Sequence, residues 1–263
     1  MSTENVSVIA GCEFSGVGAA MATAASRLNV PYVVDICSGD AITEQGLKYV
    51  FRLNVKGSWY GDSFVKLLDY INNDLGVDVT RVAGGYKDTE AGQSFVGGGL
   101  TAAEEAGYDV VFGEAYPPDA RDMTTFVSRI RAAEPDVILA NDTTAAGSIQ
   151  FTETLANLDV DPKLIVTVSG GYELPDWQEG VGGLKEGWVH LVQFRDTLPG
   201  LSEMKESYGE FTDDELTSRG LISQQVIYTI AEALEVAGSR DPQDIRDTLA
   251  ELRIEPGPRL VMP

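Results

Sequence analysis

Eight short runs rich in Val, Ile and Ala recur along the chain, at 6–10, 31–36, 49–53, 79–83, 109–112, 136–140, 164–168 and 188–192, with helix-period stretches between most of them. Runs this short, bounded by Gly, Pro, Asp or Asn, read as strands buried on both faces. Strands alternating with helices leave few architectures, because a crossover between parallel strands must return over the sheet and is itself a helix. The expected fold class is α/β, with parallel sheets flanked by helices.

The helical stretches carry their own signals. Phe64, Leu67, Leu68, Ile71 and Leu75 fall on one apolar stripe. Asp122 precedes Phe126, Val127 and Ile130 as a cap, and Pro135 stops that helix. Leu221, Ile222, Val226, Ile230, Ala233 and Leu234 predict a long helix closed by Gly238. Asp241-Pro242 opens another, with Ile245, Leu249 and Leu252 as its buried face. Gly97-Gly98-Gly99 inside a helical pattern predicts a close packing point.

The 263 residues suffice for one large or two modest domains. Charge narrows the partners. With 19 Lys+Arg against 41 Asp+Glu the formal net charge is −22, which repels phosphate backbones and anionic lipid, so nucleic acid and membrane surfaces are not expected partners. An acidic surplus with only seven lysines fits a protein kept soluble in high salt. No apolar run approaches the ~20 residues of a membrane span. Val8-Ile9-Ala10-Gly11-Cys12 looks like a lipoprotein cleavage box. Glu4 and the lack of any Lys or Arg before it favour a buried strand running into a turn, and no export signal is read in this chain.

Catalytic chemistry finds little support. Gly16-Val17-Gly18-Ala19-Ala20-Met21 follows a strand and opens a helix, with Asp35 ending the next strand. That is the outline of a dinucleotide site, in which Gly16 and Gly18 admit a pyrophosphate and Asp35 holds a ribose. Met21 at the third glycine position and the long gap from Ala10 to Gly16 count against it. Gly92-Gln93-Ser94-Phe95-Val96 lacks the second glycine of a nucleophile elbow, and His190 lies inside a strand-like run. Cys12 and Cys37, near strand ends, read as buried structural thiols, and with one histidine they make no zinc set. Pairs such as Asp213-Asp214 read as solvated surface. No catalytic residues, metal or cofactor are expected. In open parallel sheets ligands sit beyond the carboxyl ends of the strands, which singles out 13–16, 37–40, 86–91, 141–144 and 168–172.

Several stretches, in this order, carry a family resemblance. They are Val8-Ile9-Ala10-Gly11 through Ser15, Val30-Pro31-Tyr32-Val33-Val34 and the segment from Thr43 to Arg52. Further on stand Tyr116-Pro117-Pro118 with Asp122, Pro135-Asp136-Val137-Ile138, Lys185-Glu186-Gly187 and Ala231-Glu232-Ala233-Leu234-Glu235. Together they resemble the substrate-binding proteins of branched-chain amino acid ABC transporters, the type I periplasmic-binding fold, over nearly everything from Val6 to Pro258. The resemblance implies two Rossmann-like lobes that close about a hinge over a small solute and deliver it to a membrane permease. The lobes would be 1–56 and 192–245 for the first, and 57–191 with a return starting at 246–263 for the second. It implies a ligand carboxylate held by Ser15, Ser38 and the backbone near Cys37, with Ala91, Thr143 and Ser169 facing it from the second lobe. It also implies an extracytoplasmic location.

The chain departs from the pattern in two ways. Where many relatives have two aromatics and an acid, it has Ala91, Thr143 and the Val168-Ser169 turn, so an amino acid's ammonium would lack its carboxylate. An amide, a urea-like compound or an organic acid suits those residues better than leucine, isoleucine or valine, with Glu90 and Asp142 as the fallback partners for an ammonium. Relatives also carry further segments at both ends, so the first lobe is expected to be incomplete. A nucleotide-dependent (NAD-type) enzyme and a two-lobed ligand sensor without a transporter remain the alternatives.

Overall fold

The computed structural model describes residues 5–194, 197–213 and 215–255. Each of the eight runs overlaps a strand: β1 (Ile9–Ala10), β2 (Tyr32–Val34), β3 (Val50–Arg52), β4 (Arg81–Lys87), β5 (Asp109–Tyr116), β6 (Val137–Asn141), β7 (Leu164–Val168) and β8 (Trp188–Leu191). The helices are α1 (Ser15–Arg27), α2 (Ala41–Glu44), α3 (Tyr60–Asn73), α4 (Glu90–Gly92), α5 (Gly98–Glu105), α6 (Thr124–Ala132), α7 (Ala145–Asn157), α8 (Pro175–Val181), α9 (Leu201–Thr212), α10 (Ser218–Ala237) and α11 (Pro242–Glu251). They form two compact units, 1–55 with 193–263, and 56–192. Glu4, Asp214 and Pro258, which figure in the sequence reading, lie outside the described residues.

The first unit has a three-stranded sheet, β1-β2-β3, parallel throughout. Ala22 and Ala25 of α1 pack on Tyr32, Val34 and Ile42 to make its core. β1 is half-buried rather than buried, because it lies at the sheet edge and pairs on one side only. Cys12 and Cys37 are not free thiols. Their Cα atoms are 5.7 Å apart across the β1–β2 ends and the sulfurs are bonded. This corrects the reading of two buried thiols, and it gives Gly18 its reason: a Cβ there would stand 2.7 Å from the Cys12 Sγ.

The caps of α10 and α11 follow the sequence, whereas the N-cap of α6 is Met123 and Asp122, one residue earlier, accepts from the Thr124 amide. Gly238 closes α10 in the left-handed region, φ +59°, and the Asp241 carboxylate accepts from the Gln243 amide to open α11. α11 buries Ile245, and Arg246 Nε donates to the Lys48 carbonyl at 3.1 Å. The boundary expected at 245/246 therefore falls inside a helix of the first unit.

The second unit has a five-stranded parallel sheet in the order β5-β4-β6-β7-β8. β4 runs to Lys87, four residues past the expected end, straight through Gly84 and Gly85. Adjacent strand residues point to opposite faces, and these two show what covers each. A Cβ at Gly84 would meet Leu100 and Val96, and one at Gly85 would meet Ile130, Phe126 and Phe151. Side chains from two helical layers press on β4: a Cβ at Gly84 would come within 2.6 Å of Leu100, and one at Gly85 within 3.2 Å of Ile130. Tyr116, Phe126 and Phe151 form one aromatic cluster on the second face, and Tyr172, Trp177 and Trp188 form another. At the amino ends of the strands, Asp136 accepts from the amides of Thr80 and Arg81 and pairs with Lys163 at 2.8 Å. Burial alone would raise its carboxyl, but these partners outweigh that and hold it at about 2.

Candidate functional site

Both units gather polar groups at the carboxyl ends of their strands, and each set is built by its own unit. In the first, Ser15 is the first residue of α1 and 5% exposed. It does not cap the helix as a serine N-cap would; Phe14 holds that position, and the Ser15 Oγ accepts from the Gly39 amide at 3.0 Å. That leaves the hydroxyl proton to donate. Ser38 is equally buried, donates to the Ile36 carbonyl and accepts from Asn54 Nδ2 at 3.0 Å. Arg52 clamps the same loop, donating to the carbonyls of Cys37 at 2.7 Å and Gly39 at 2.6 Å. Asp35, the ribose ligand of the dinucleotide alternative, accepts from the Cys12 amide at 2.6 Å and from Ser223 at 2.9 Å. Its carboxylate ties the chain to itself. A side chain at Gly16 would meet nothing within 4 Å, so nothing in the packing asks for glycine there. Gly18 and Asp35, two of the three residues that suggested NAD, are accounted for by packing and bracing.

In the second unit the strand order places a topological switch between β4 and β6, since β5 lies on one side of β4 and β6 to β8 on the other. Ligands of doubly wound sheets sit at that point. The switch holds Lys87, at the end of β4, and Asp142, just after β6. Lys87 Nζ lies 3.4 Å from Asp142 Oδ1 and donates to Thr144 Oγ1 at 3.2 Å. Tyr116 donates to Asp142 Oδ2 at 2.7 Å, and the Thr144 amide donates to Oδ1 at the same distance. Burial, then Tyr172 and Asp142, push the Tyr116 hydroxyl far above the usual phenol range, so it stays a donor. A Cβ on Gly147 would overlap the Asp142 carboxylate, and one on Gly170 or Gly171 would overlap the Asp142 or Thr144 carbonyl. The turn after β7 is thus seated directly on the loop after β6.

Of the residues expected from sequence, Ser15, Cys37 and Ser38 come together in the first unit. Ala91, in α4, and Thr143 and Ser169, in the loops after β6 and β7, lie at strand ends of the second, all half-buried. Ser169 holds an unusual φ of +46°, the start of the turn that brings Gly170 and Gly171 onto Asp142. His190 pairs across strands with Thr167, Nδ1 to Oγ1 at 2.7 Å, and its Nε2 lies 3.2 Å from Glu173. Lys87 and Thr144 fall inside the loops singled out from sequence, 86–91 and 141–144, without being named as site residues; Arg52, Asn54 and Tyr116 lie outside those loops. A cavity of about 300 Å³ lies at the opposite, amino end of β7 and β8, lined by Leu155, Val160, Ile165 and Trp188.

The chain matches the model of a family described as periplasmic binding protein over residues 1–261. The chain belongs to the periplasmic binding protein family. Among relatives of this family, a Leu/Ile/Val-binding protein homolog 7 from Brucella suis is 28% identical, over 98% of this chain and 67% of its own. A leucine-binding protein from Thermotoga maritima has the same fold, with a TM-score of 0.84 at 19% identity, covering 98% of this chain and 72% of that one. A solute-binding protein from R. palustris, solved with 4-hydroxybenzoate, superposes with a TM-score of 0.80 at 18% identity, over 94% and 67% of the two chains. Periplasmic binding proteins act outside the cytoplasmic membrane, and among the described residues no helix is long and apolar enough to cross one.

Proposed function

We propose that this chain is an extracytoplasmic solute-binding protein that captures a small amino-acid-like, amide or organic-acid ligand and delivers it to the permease of an ABC transporter. It acts by binding and release, not by catalysis. The observation that carries this reading is the Lys87–Asp142–Thr144 cluster at the sheet's topological switch point, in a chain that matches its family nearly end to end. Ser15 and Ser38 are the first unit's contacts for a carboxylate or carbonyl, and Ala91, Thr143 and Ser169 are the second unit's candidate ligand contacts. The named relatives bracket the ligand class: one is called a Leu/Ile/Val-binding protein homolog, and another holds an aromatic acid. The Cys12–Cys37 bond is consistent with an oxidising compartment.

Titration calorimetry of the whole chain against amino acids, amides and organic acids, in low and high salt, tests the reading. Micromolar binding of one class supports it; no heat from any of them sinks it.

A further inference from the structure

We propose that Lys87 makes the switch point of the second unit's sheet selective for solutes that lack an ammonium group, so that the chain takes organic acids in preference to free α-amino acids. The inference rests on the solute-binding reading above and names its ligand class.

The order of burial carries the argument. The Asp142 side chain is 1% exposed and that of Lys87 is 13% exposed, so Asp142 is the more deeply buried member of the pair and Lys87 the one that reaches solvent. Asp142 is also fully engaged. One oxygen accepts from Tyr116, and the other accepts from the Thr144 amide, the Thr144 hydroxyl and Lys87. The backbone around it is close-packed as well: a Cβ on Gly147 would overlap the carboxylate, and the Gly171 amide donates to the Asp142 carbonyl at 2.7 Å. For Asp142 to meet a ligand's ammonium, the sequence-level fallback, it would have to give up donors it already holds.

Lys87 itself has a donor to give. A lysine ammonium carries three N–H bonds, and two of them point at Asp142 and Thr144. The third suits an acceptor on a solute: a carboxylate, a phenol or hydroxyl oxygen, or an amide carbonyl. A solute that brings its own ammonium meets a like charge in a partly desolvated site, where the repulsion is strong. Glu90, at the start of α4, is the rival group for an ammonium, so the test includes it.

The probes are two pairs that differ by the amine alone: leucine with 4-methylpentanoate, and 4-hydroxyphenylglycine with 4-hydroxyphenylacetate. Calorimetry on the whole chain at pH 7.5 is expected to show the amine-free member of at least one pair binding tenfold or more tightly. Lys87→Met alone strands a buried carboxylate and risks the fold. The double variant Lys87→Met/Asp142→Asn removes both charges, and with native circular dichroism it is expected to lose the preference. Tighter binding of an amine-bearing probe, abolished by Glu90→Gln, overturns the proposal while leaving the solute-binding reading intact. So does a folded double variant that keeps its preference. Binding of none of the four probes overturns the inference for these ligands, and leaves the solute-binding reading to the broader titration against amino acids, amides and organic acids.

Discussion

The two units solve the same problem with different means. Each must hold polar side chains rigidly at the carboxyl end of a parallel sheet, where backbone order is running out. The second unit does so by mass and shape. Its sheet has five strands, its helices press on both faces, and its loops are seated by glycines that leave no slack around Asp142. The first unit, with three strands and a half-buried edge, relies on covalent and polar ties instead. Cys12 is bonded to Cys37, Arg52 clamps the loop carrying Ser38, and Ser15 holds the Gly39 amide. Where apolar area is scarce, discrete crosslinks take over the work of packing.

The sharpest way to break this comparison is to strike each unit at its own support. Phe151 is fully buried among Tyr116, Phe126 and the helices of the second unit. Phe151→Ala removes a ring from a close-packed cluster and should cost about 3–5 kcal/mol. Hydrogen exchange read strand by strand should show the loss across β4 to β8. A loss spread evenly over β1 to β3 as well would mean the units do not carry their stability separately.

The matching experiment in the first unit is removal of the disulfide. A crosslink spanning 25 residues restrains the unfolded chain by about 3.5 kcal/mol on the loop-entropy model. Cys12→Ser/Cys37→Ser should therefore lower protection of β1 to β3 by up to that amount and leave β4 to β8 untouched. If reduction of the wild-type chain changes neither, the brace described here has no thermodynamic role.

This contrast also explains what could be read beforehand. All eight strands were legible, because a buried parallel strand announces itself by a short apolar run with turn residues at its ends. The end of β4 was not, since Gly84-Gly85 reads locally as a break; only the pressure of Leu100 and Phe151 from opposite faces shows why glycines sit inside a strand. The loops that hold Ser15, Cys37 and Ser38 followed from the rule that ligands lie beyond strand ends. Lys87 and Asp142 are 55 residues apart, and their pairing depends on the register of β4 against β6, with Tyr86 opposite Asn141. No local pattern carries that register. The bond between Cys12 and Cys37 was missed for the same reason, as it requires β1 to lie beside β2.

A smaller effect tests whether the second unit's amino end is held by charge or by packing. Asp136→Asn should cost about 1–3 kcal/mol at pH 7, because it removes charge-assisted bonds to Lys163 and two backbone amides. The folded-state pKa, about 2, lies below the unfolded value near 3.9. The wild-type advantage is thus fully present above pH ~5 and is lost as pH falls from there through 2. Chemical denaturation of both proteins between pH 2 and 7 should show the two curves converging at the acid end; a gap constant with pH would assign the effect to packing alone.

The smallest effect sharpens the comparison most, because it separates bracing from binding at one atom. Ser15→Ala deletes the acceptor of the Gly39 amide and should cost the first unit about 0.5–1.5 kcal/mol. If Ser15 only braces the loop, affinity for whichever solute the chain binds should fall no further than that local loosening explains, and Cys12–Cys37 should limit the loosening. If its remaining proton also meets the solute's carboxylate, a bond to a charged group is lost as well, about 1.5–3 kcal/mol, or roughly ten- to a hundredfold in affinity. Ser15→Thr keeps the hydroxyl but adds a methyl at a position 5% exposed. It should therefore disturb stability about as much as alanine does while retaining most of the affinity. Alanine and threonine variants with equal affinity would make Ser15 a brace and leave Lys87 and its unit as the anchor.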